Sequence, residues 1–294
     1  MATLDTLWGM NNLKTVGLLA FMTTLLWLVG ATLFNGGGNG FVIGLVLAVG
    51  FNLVAYFFSD KLALAASRAR PVTEEEQPQV YAIVRRLAEQ TRMPMPRIYL
   101  IDSPQPNAFA TGRSPKKAAV AVTAGILELL NFDELEGVLA HELAHVQNRD
   151  ILISSIAAMI AAALTMLARM AFWFGGGDNR ESPLGAIGAL LSLIVAPIAA
   201  MLIRLAISRT REFGADETGA EITGRPMVLA SALEKISMGT AKIPMNVNPA
   251  TAQLFIDNPM KALRGGGGMM KLLSTHPPTE ERIDRLARMA QGVR

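Results

Sequence analysis

Four long apolar stretches constrain this chain more than any other feature of its sequence. Each approaches the ~20 residues that an α-helix needs to cross the hydrocarbon core of a bilayer. One such stretch could be a buried helix of a soluble protein, but four of them in 294 residues favour a membrane protein. We therefore predict four transmembrane helices, at residues 16–34, 41–58, 151–174 and 184–207.

The short connections between these stretches predict two helical hairpins. NGGGNG at 35–40 joins the first pair, and GGGDNRES at 175–182 joins the second. The first stretch could instead be a signal peptide, but a second stretch follows at once and no small-residue cleavage site is evident. Lysine and arginine residues lie beside the ends of the stretches that point away from these connections. The two connections themselves contain only Arg180. The positive-inside rule therefore predicts that both termini and residues 59–150 lie in the cytoplasm.

The chain contains no cysteine and only three histidines. Thiol nucleophiles, disulfides and cysteine-ligated metals are thereby excluded, so any metal must be held by histidine and carboxylate side chains. The net charge of +3 is small and the basic residues are scattered. Because no nucleic-acid-reading motif accompanies them, we predict no nucleic-acid partner.

Two of the three histidines, His141 and His145, lie in an H-E-x-x-H motif. On a helix, positions i and i+4 share a face, so both imidazoles can bind one metal ion. Zinc takes such ligands and in catalytic sites keeps a position for water, whose pKa it lowers toward about 7. Glu142 could then take the proton of that water. The alternative is an amphipathic helix with a chance pair of histidines.

A third ligand is expected, and TREFGAD at 210–216 offers one. Glu212 could bind the metal while Asp216, four residues later on the same helical face, accepts the other imidazole N–H of a ligand histidine. An ordinary charged helix surface is the alternative. Because two predicted spans separate Glu212 from the histidines, all three ligands are expected on the same side of the membrane.

The segments outside the apolar stretches have the pattern of an α+β domain. Thr73 and Glu76 have capping-box spacing before a helical periodicity. RIYLI at 97–101 and KAAVAVT at 117–123 are typical of short strands. The other predicted helices are one capped by Asn131 or Asp133 and ending near Arg149, one at 226–237, and one after Pro277 and Pro278.

Five motifs follow one another along nearly the whole chain: NAFATGR (107–113), LAHELAHVQNRD (139–150), SRTREFGAD (208–216), LFIDNP (254–259) and STHPPTEERI (274–283). In this order they resemble the HtpX-type integral membrane zinc metalloproteases, relatives of the CAAX prenyl proteases. The resemblance implies that His141, His145 and Glu212 bind one Zn²⁺ per chain. It also implies that Glu142 is the general base and that Asp216 supports a ligand histidine.

The resemblance implies a helical membrane bundle of four transmembrane helices joined to an α+β, thermolysin-like zinc metalloprotease domain. Residues 1–59 and 151–207 would form the two transmembrane hairpins. Residues 60–150 and 208–294 would form the two parts of the cytoplasmic protease domain. The protein is then expected to be a multi-pass protein of the prokaryotic cytoplasmic (inner) membrane, in contact with the lipid bilayer.

Asn107, Ala108, Phe109 and Ala110 resemble the family's edge strand, which pairs with an extended peptide substrate. Such an edge presents unpaired N–H and C=O groups and gives affinity without strict sequence demands. Asn107 and Ala108 could thus offer hydrogen bonds at the scissile bond. The alternative is an ordinary turn followed by an edge strand.

His276 and Arg282 are further candidates near the C-terminus. His276 precedes two prolines and could donate a hydrogen bond to the oxyanion that develops during peptide hydrolysis. A structural capping histidine is the alternative. Arg282 could pair with Glu142, with Asp216 or with the oxyanion, and the sequence leaves these three open.

The leading hypothesis is a membrane zinc endopeptidase that hydrolyses membrane or misfolded proteins at the cytoplasmic face, in protein quality control and stress response. A CAAX-type prenyl-peptide protease is the enzymatic alternative, and it needs a lipid-accommodating chamber. A non-enzymatic membrane scaffold would have no need of Glu142. A transporter would need ionisable residues in the middle of its transmembrane helices. The predicted spans of this chain contain only Arg169 and Arg204, and both lie near the end of a span.

Overall fold

The computed structural model describes residues 4–33, 38–148, 150–157, 159–160, 209–242, 256 and 277–292. Residues 151–157 and 159–160 are helical. The other helices are α1 (Leu4–Leu33), α2 (Gly38–Ala66), α3 (Pro78–Gln90), α4 (Ala124–Leu129), α5 (Phe132–Gln147), α6 (Arg209–Thr223), α7 (Pro226–Lys242) and α8 (Thr279–Ala290). The strands are β1 (Arg70–Pro71), β2 (Arg97–Ile101), β3 (Ala108–Thr111) and β4 (Ala119–Thr123).

The helices α1 and α2 pack against each other and run antiparallel. The ring centroids of Trp27 and Phe41 lie 5.1 Å apart. Further along, Asn52 Nδ2 donates to Thr23 Oγ1 at 2.7 Å. A polar pair of this kind links neighbouring helices where little water is present to compete.

Within the described residues, one helix is long and apolar enough to cross a membrane. It covers Asn39–Ala66 in α2 and has a mean hydropathy of 2.3. The apolar part of α1 is shorter, Leu13–Leu28. The predicted span at 184–207 and most of the span at 151–174 lie outside the described residues.

The four strands form one sheet in the order β1-β2-β4-β3. β2 and β4 are parallel, whereas β1 and β3 run antiparallel to their neighbours. All five residues of β4 are buried, as expected for a central strand that is covered on both faces. β3 lies at an edge of this sheet in the part of the chain that the structure describes, as the sequence predicts.

Alternate residues of β4 point to opposite faces of the sheet. Val120 and Val122 pack into the main core, to which α3, α5 and α7 also contribute. Ala119 and Ala121 pack on the other face, against Leu64 near the end of α2. The apolar hairpin is therefore joined directly to the sheet.

Local sequence signals predict most elements but not all of their boundaries. Thr73 and Glu76 make the expected reciprocal hydrogen bonds, at 2.9 Å and 3.4 Å. These bonds close a turn, however, and α3 begins only at Pro78, whose missing N–H suits the first helical position. β4 begins at Ala119 rather than at 117, because Pro115–Lys117 forms a 3₁₀ turn.

Candidate metal centre

Helix α5 carries the H-E-x-x-H motif, and a capping box holds its N-terminus. Asn131 Oδ1 accepts the Glu134 N–H at 2.9 Å, and the Glu134 carboxylate accepts the Asn131 N–H at 3.0 Å. Of the two predicted caps, Asn131 is therefore the one used. Ser231 and Lys235 of α7 also donate to Glu134, at 2.7 Å and 2.8 Å. The helix ends at Gln147, slightly earlier than predicted.

His141, His145 and Glu212 come together from two distant parts of the chain. The two imidazoles lie on one face of α5 with their ring centroids 4.8 Å apart. Glu212, on α6, points between them. Its Oε2 is 3.8 Å from His141 Nε2, and its Oε1 is 3.6 Å from His145 Nε2.

This group fits a metal ion in both chemistry and dimensions. One ligand atom from each residue lies within 4.8 Å of the other two. Zinc with bonds of about 2.0–2.2 Å in tetrahedral geometry keeps its ligand atoms roughly 3.3–3.6 Å apart. Small side-chain movements would suffice to reach those separations. Two imidazoles and one carboxylate are also the ligand types that a catalytic zinc site uses.

Asp216 and Arg282 form a buried pair behind His141. Asp216 Oδ1 lies 2.9 Å from His141 Nδ1. Arg282 donates to both carboxylate oxygens of Asp216, at 2.8 Å and 2.6 Å. Of the three partners that the sequence left open for Arg282, the structure therefore shows Asp216. Burial favours the neutral acid, but the charge and hydrogen bonds of Arg282 and His141 lower the pKa of Asp216 to about 2.

Asp150 holds the corresponding position beside His145, and the sequence analysis assigned it no role. Its Oδ2 lies 3.3 Å from His145 Nδ1, and Arg211 is 4.0 Å from its other oxygen. The signal in the sequence is an aspartate five residues after the second histidine, just before an apolar stretch. Burial lowers the pKa of His145, but Glu212, Asp150 and Glu142 outweigh it and raise that pKa to about 9.

Glu142 connects the histidine helix to the edge strand. It is buried, and its Oε2 accepts the backbone N–H of Ala110 at 2.9 Å. Ala108 and Phe109 are buried in the same strand. Asn107 precedes it, and its Oδ1 accepts the backbone N–H of Ile256 at 3.0 Å.

The structure thus brings all but one of the predicted site residues into one region. The exception is His276, which lies outside the described residues. Asn107 is buried, and its side-chain oxygen already accepts a hydrogen bond from another part of the chain. This bond competes with the predicted hydrogen bond between Asn107 and a substrate. Ile256 is the competing residue, and its carbonyl also lies 3.5 Å from Arg282 Nη1.

Comparisons with known proteins match most of the chain to one family of peptidases. Residues 74–290 match peptidase family M48. A "Protease HtpX homolog" from Thermodesulfovibrio yellowstonii is 52% identical over 286 residues, which cover 96% of this chain and 99% of that protein. A protein of the same name from Pelotomaculum thermopropionicum is 50% identical over 286 residues, with coverage of 96% and 100%.

Among solved structures, the crystal structure of S. mikatae Ste24p resembles this chain with a TM-score of 0.49 and 19% identity. The match covers 95% of this chain, which spans 66% of the length of that one. The family match and both sequence relatives extend over most of the chain. The chain therefore belongs to peptidase family M48 and is a metalloprotease.

Proposed function

We propose that this protein is a membrane-embedded zinc endopeptidase whose metal is held by His141, His145 and Glu212. The observation that carries the proposal is the convergence of these three side chains within 4.8 Å, beside Glu142. Asp216 and Arg282 support the site by orienting His141.

Zinc, when bound, would polarise the scissile carbonyl and acidify water at neutral pH. Glu142 would take a proton from the attacking water and pass it to the leaving nitrogen. Its carboxylate is suited to this role because the Ala110 N–H holds one oxygen in place. Burial of Glu142 keeps bulk water away from the proton that it carries.

The substrate would bind as an added strand along the outer edge of β3, beside which no other strand lies in the part of the chain that the structure describes. The N–H of Ala110 points toward α5 and away from β4. In an antiparallel pair, a residue whose N–H points outward has its C=O pointing outward as well, and so do residues two positions away. The C=O of Ala110 and the N–H and C=O of Ala108 therefore face outward and would pair with an extended peptide, while the Ala110 N–H stays with Glu142. This supports a polypeptide substrate recognised mainly through its main chain. His276 would donate to the oxyanion.

The membrane placement is part of the same proposal. Residues 1–59 and 151–207 would form two transmembrane hairpins in a prokaryotic cytoplasmic membrane. Residues 60–150 and 208–294 would form one protease domain on the cytoplasmic side. Exposed apolar side chains along α2, such as Val42, Val46 and Leu53, support contact with lipid. Substrates would then be membrane proteins or unfolded chains, as in protein quality control and the stress response.

Metal content and proteolysis, measured together, test the proposal. The wild type and Glu142→Gln are purified in detergent, assayed for zinc, and incubated with casein as an unfolded substrate. We expect about one zinc in both proteins and cleavage only by the wild type, because the substitution removes the base but none of the three ligands. Folded protein without zinc, or a variant that cleaves as fast as the wild type, would contradict the proposal.

A further inference from the structure

We propose that Asp150 is a positioning residue for the metal ligand His145, and that each ligand histidine thus has its own carboxylate partner. This inference rests on the proposed metal site and extends it. It begins from the matching geometry of the two histidines. In each, Nδ1 faces an aspartate, at 2.9 Å for His141 and 3.3 Å for His145. In each, Nε2 faces Glu212.

This geometry determines which nitrogen of His145 is free to bind a metal. An ionised carboxylate only accepts hydrogen bonds, so the ring nitrogen that faces Asp150 must carry the proton. The Nε2 lone pair of the neutral ring is then left facing Glu212, 3.6 Å away. Partners of this kind hold the tautomer and the ring orientation of a ligand histidine.

The chain holds Asp150 in place through its backbone. Its N–H donates to the carbonyl of His145 at 2.9 Å, so the chain turns back on itself directly after α5. Its own carbonyl accepts the N–H of Ser154 at 3.3 Å, within the helix that begins the apolar segment at 151. Asp150 is buried and therefore cannot exchange its histidine partner for water without moving the backbone.

The second oxygen of Asp150 faces α6. Arg211, next to Glu212 in the sequence, has its Nη1 4.0 Å from Asp150 Oδ1. Asp150 therefore lies between a ligand histidine on α5 and the residue that precedes the third ligand on α6. It also directly precedes the third apolar segment, so the orientation of His145 depends on where that segment begins.

The test uses the full chain in detergent and measures zinc affinity by competition with a chelator. We expect Asp150→Ala to lower the zinc affinity by about 10–100-fold, the usual loss when the partner of a ligand histidine is removed. Asp102→Asn removes an exposed carboxylate and serves as the matched control, which should keep the wild-type affinity. With Co²⁺ as the metal, Asp150→Ala should also change the ligand-field absorption spectrum.

Asp150→Ser separates positioning from helix capping, since serine caps helices about as well as aspartate does but has a shorter side chain without the oxygen that faces His145 Nδ1. Asparagine would not separate the two roles, because its amide oxygen also accepts a hydrogen bond. We expect Asp150→Ser to keep the wild-type circular dichroism spectrum while binding zinc more weakly than the wild type. If Asp150→Ala does not fold, the zinc affinity of Asp150→Ser tests the inference in its place. Wild-type zinc affinity in Asp150→Ser would assign Asp150 to capping and overturn the inference.

A parallel measurement on His145→Ala distinguishes this inference from the proposed function. If His145→Ala loses zinc and both Asp150 variants keep the wild-type affinity, the role of Asp150 is wrong and the metal site stands. If His145→Ala itself binds zinc as the wild type does, the metal site is wrong and the role of Asp150 is overturned with it.

Discussion

Gly219 on α6 lies directly against the backbone of His141 on α5. A β-carbon built on Gly219 would come 2.9 Å from the His141 nitrogen and 3.0 Å from its Cα. Real β-carbons do not approach backbone atoms so closely, so the two helices can be this near only with glycine here. Because α6 also carries Glu212, this contact determines the distance between the third ligand and the two histidines.

Replacing Gly219 should therefore disturb the metal site although Gly219 itself offers no ligand atom. In Gly219→Ala the added methyl group must push α6 away from α5, at a cost of about 1–3 kcal/mol. We expect a lower thermal midpoint and a lower zinc affinity than in the wild type. Circular dichroism and chelator competition would measure the two effects.

Gly214 on the same helix provides the matched control, because a β-carbon there would meet no atom of the described residues within 4 Å. Gly214→Ala should leave zinc affinity unchanged and stabilise the helix by up to about 1 kcal/mol, from helix propensity alone. Equal effects of the two substitutions would show that helix packing at Gly219 does not control the site.

Arg282 should be needed for stability as well as for metal binding. It is 1% exposed, and its two hydrogen bonds to Asp216 neutralise a buried carboxylate. Arg282→Ala leaves that charge unpaired and should destabilise the protein by about 3–5 kcal/mol. Urea titration would measure this loss. Arg288→Ala, at an exposed position of the same helix, should change the free energy of unfolding by less than about 0.5 kcal/mol.

The metal-free protein should lose stability as the pH rises from about 6.5 to 9. The pKa of His145 increases from 6.5 to about 9 because Glu212, Asp150 and Glu142 outweigh the effect of burial. A raised pKa means that protonation stabilises the fold, so the contribution is complete below pH 6.5 and is lost as the pH passes through 9. Its size is at most about 3–4 kcal/mol, because the pKa rises from 6.5 to about 9 and each pH unit corresponds to ~1.4 kcal/mol.

Thermal melts of EDTA-treated protein between pH 6 and 9.5 would measure this loss. Zinc affinity should rise over the same range, because the metal must displace the proton from His145. His145→Gln should flatten the pH dependence of the metal-free melts. A wild-type midpoint that stays constant over this range would contradict the assignment.

Asn107 should affect stability through Ile256. Asn107→Ala leaves the buried N–H of Ile256 without the acceptor that it now has, at a cost of about 1–3 kcal/mol. If Asn107 acts mainly on the substrate, as the sequence suggested, the substitution should instead lower kcat/KM and leave the thermal midpoint unchanged. Measuring both quantities on one preparation separates the two roles.

Much of the fold could be predicted from local patterns. The strand at 97–101, the helix that carries the histidines and the helix after Pro278 are all present. The hydrogen bonds between Thr73 and Glu76 were also predicted, yet they close a turn and the helix begins later. A capping pattern specifies the local bonds, but whether a helix follows at once depends on the residues that come next, here Gln77 and Pro78.

Composition and residue spacing alone predict which types of side chain could form the site. With no cysteine and three histidines, a metal could be held only by imidazole and carboxylate ligands, and the spacing in H-E-x-x-H brings two of them onto one helical face. These conclusions need only composition and helix geometry, which are local properties of the chain.

The contacts of the other site residues depend on how distant segments of the chain pack together. The partner of Arg282, the pairing of Asp150 with His145 and the contact of Asn107 with Ile256 each depend on how separate segments pack. Residues far apart in sequence can contact each other at any spacing, so no sequence pattern predicts such contacts. Even Asp150, five residues from His145, contacts it only because the chain reverses direction after α5. Burial then determines the energetics, since the same charges exposed to water would interact weakly.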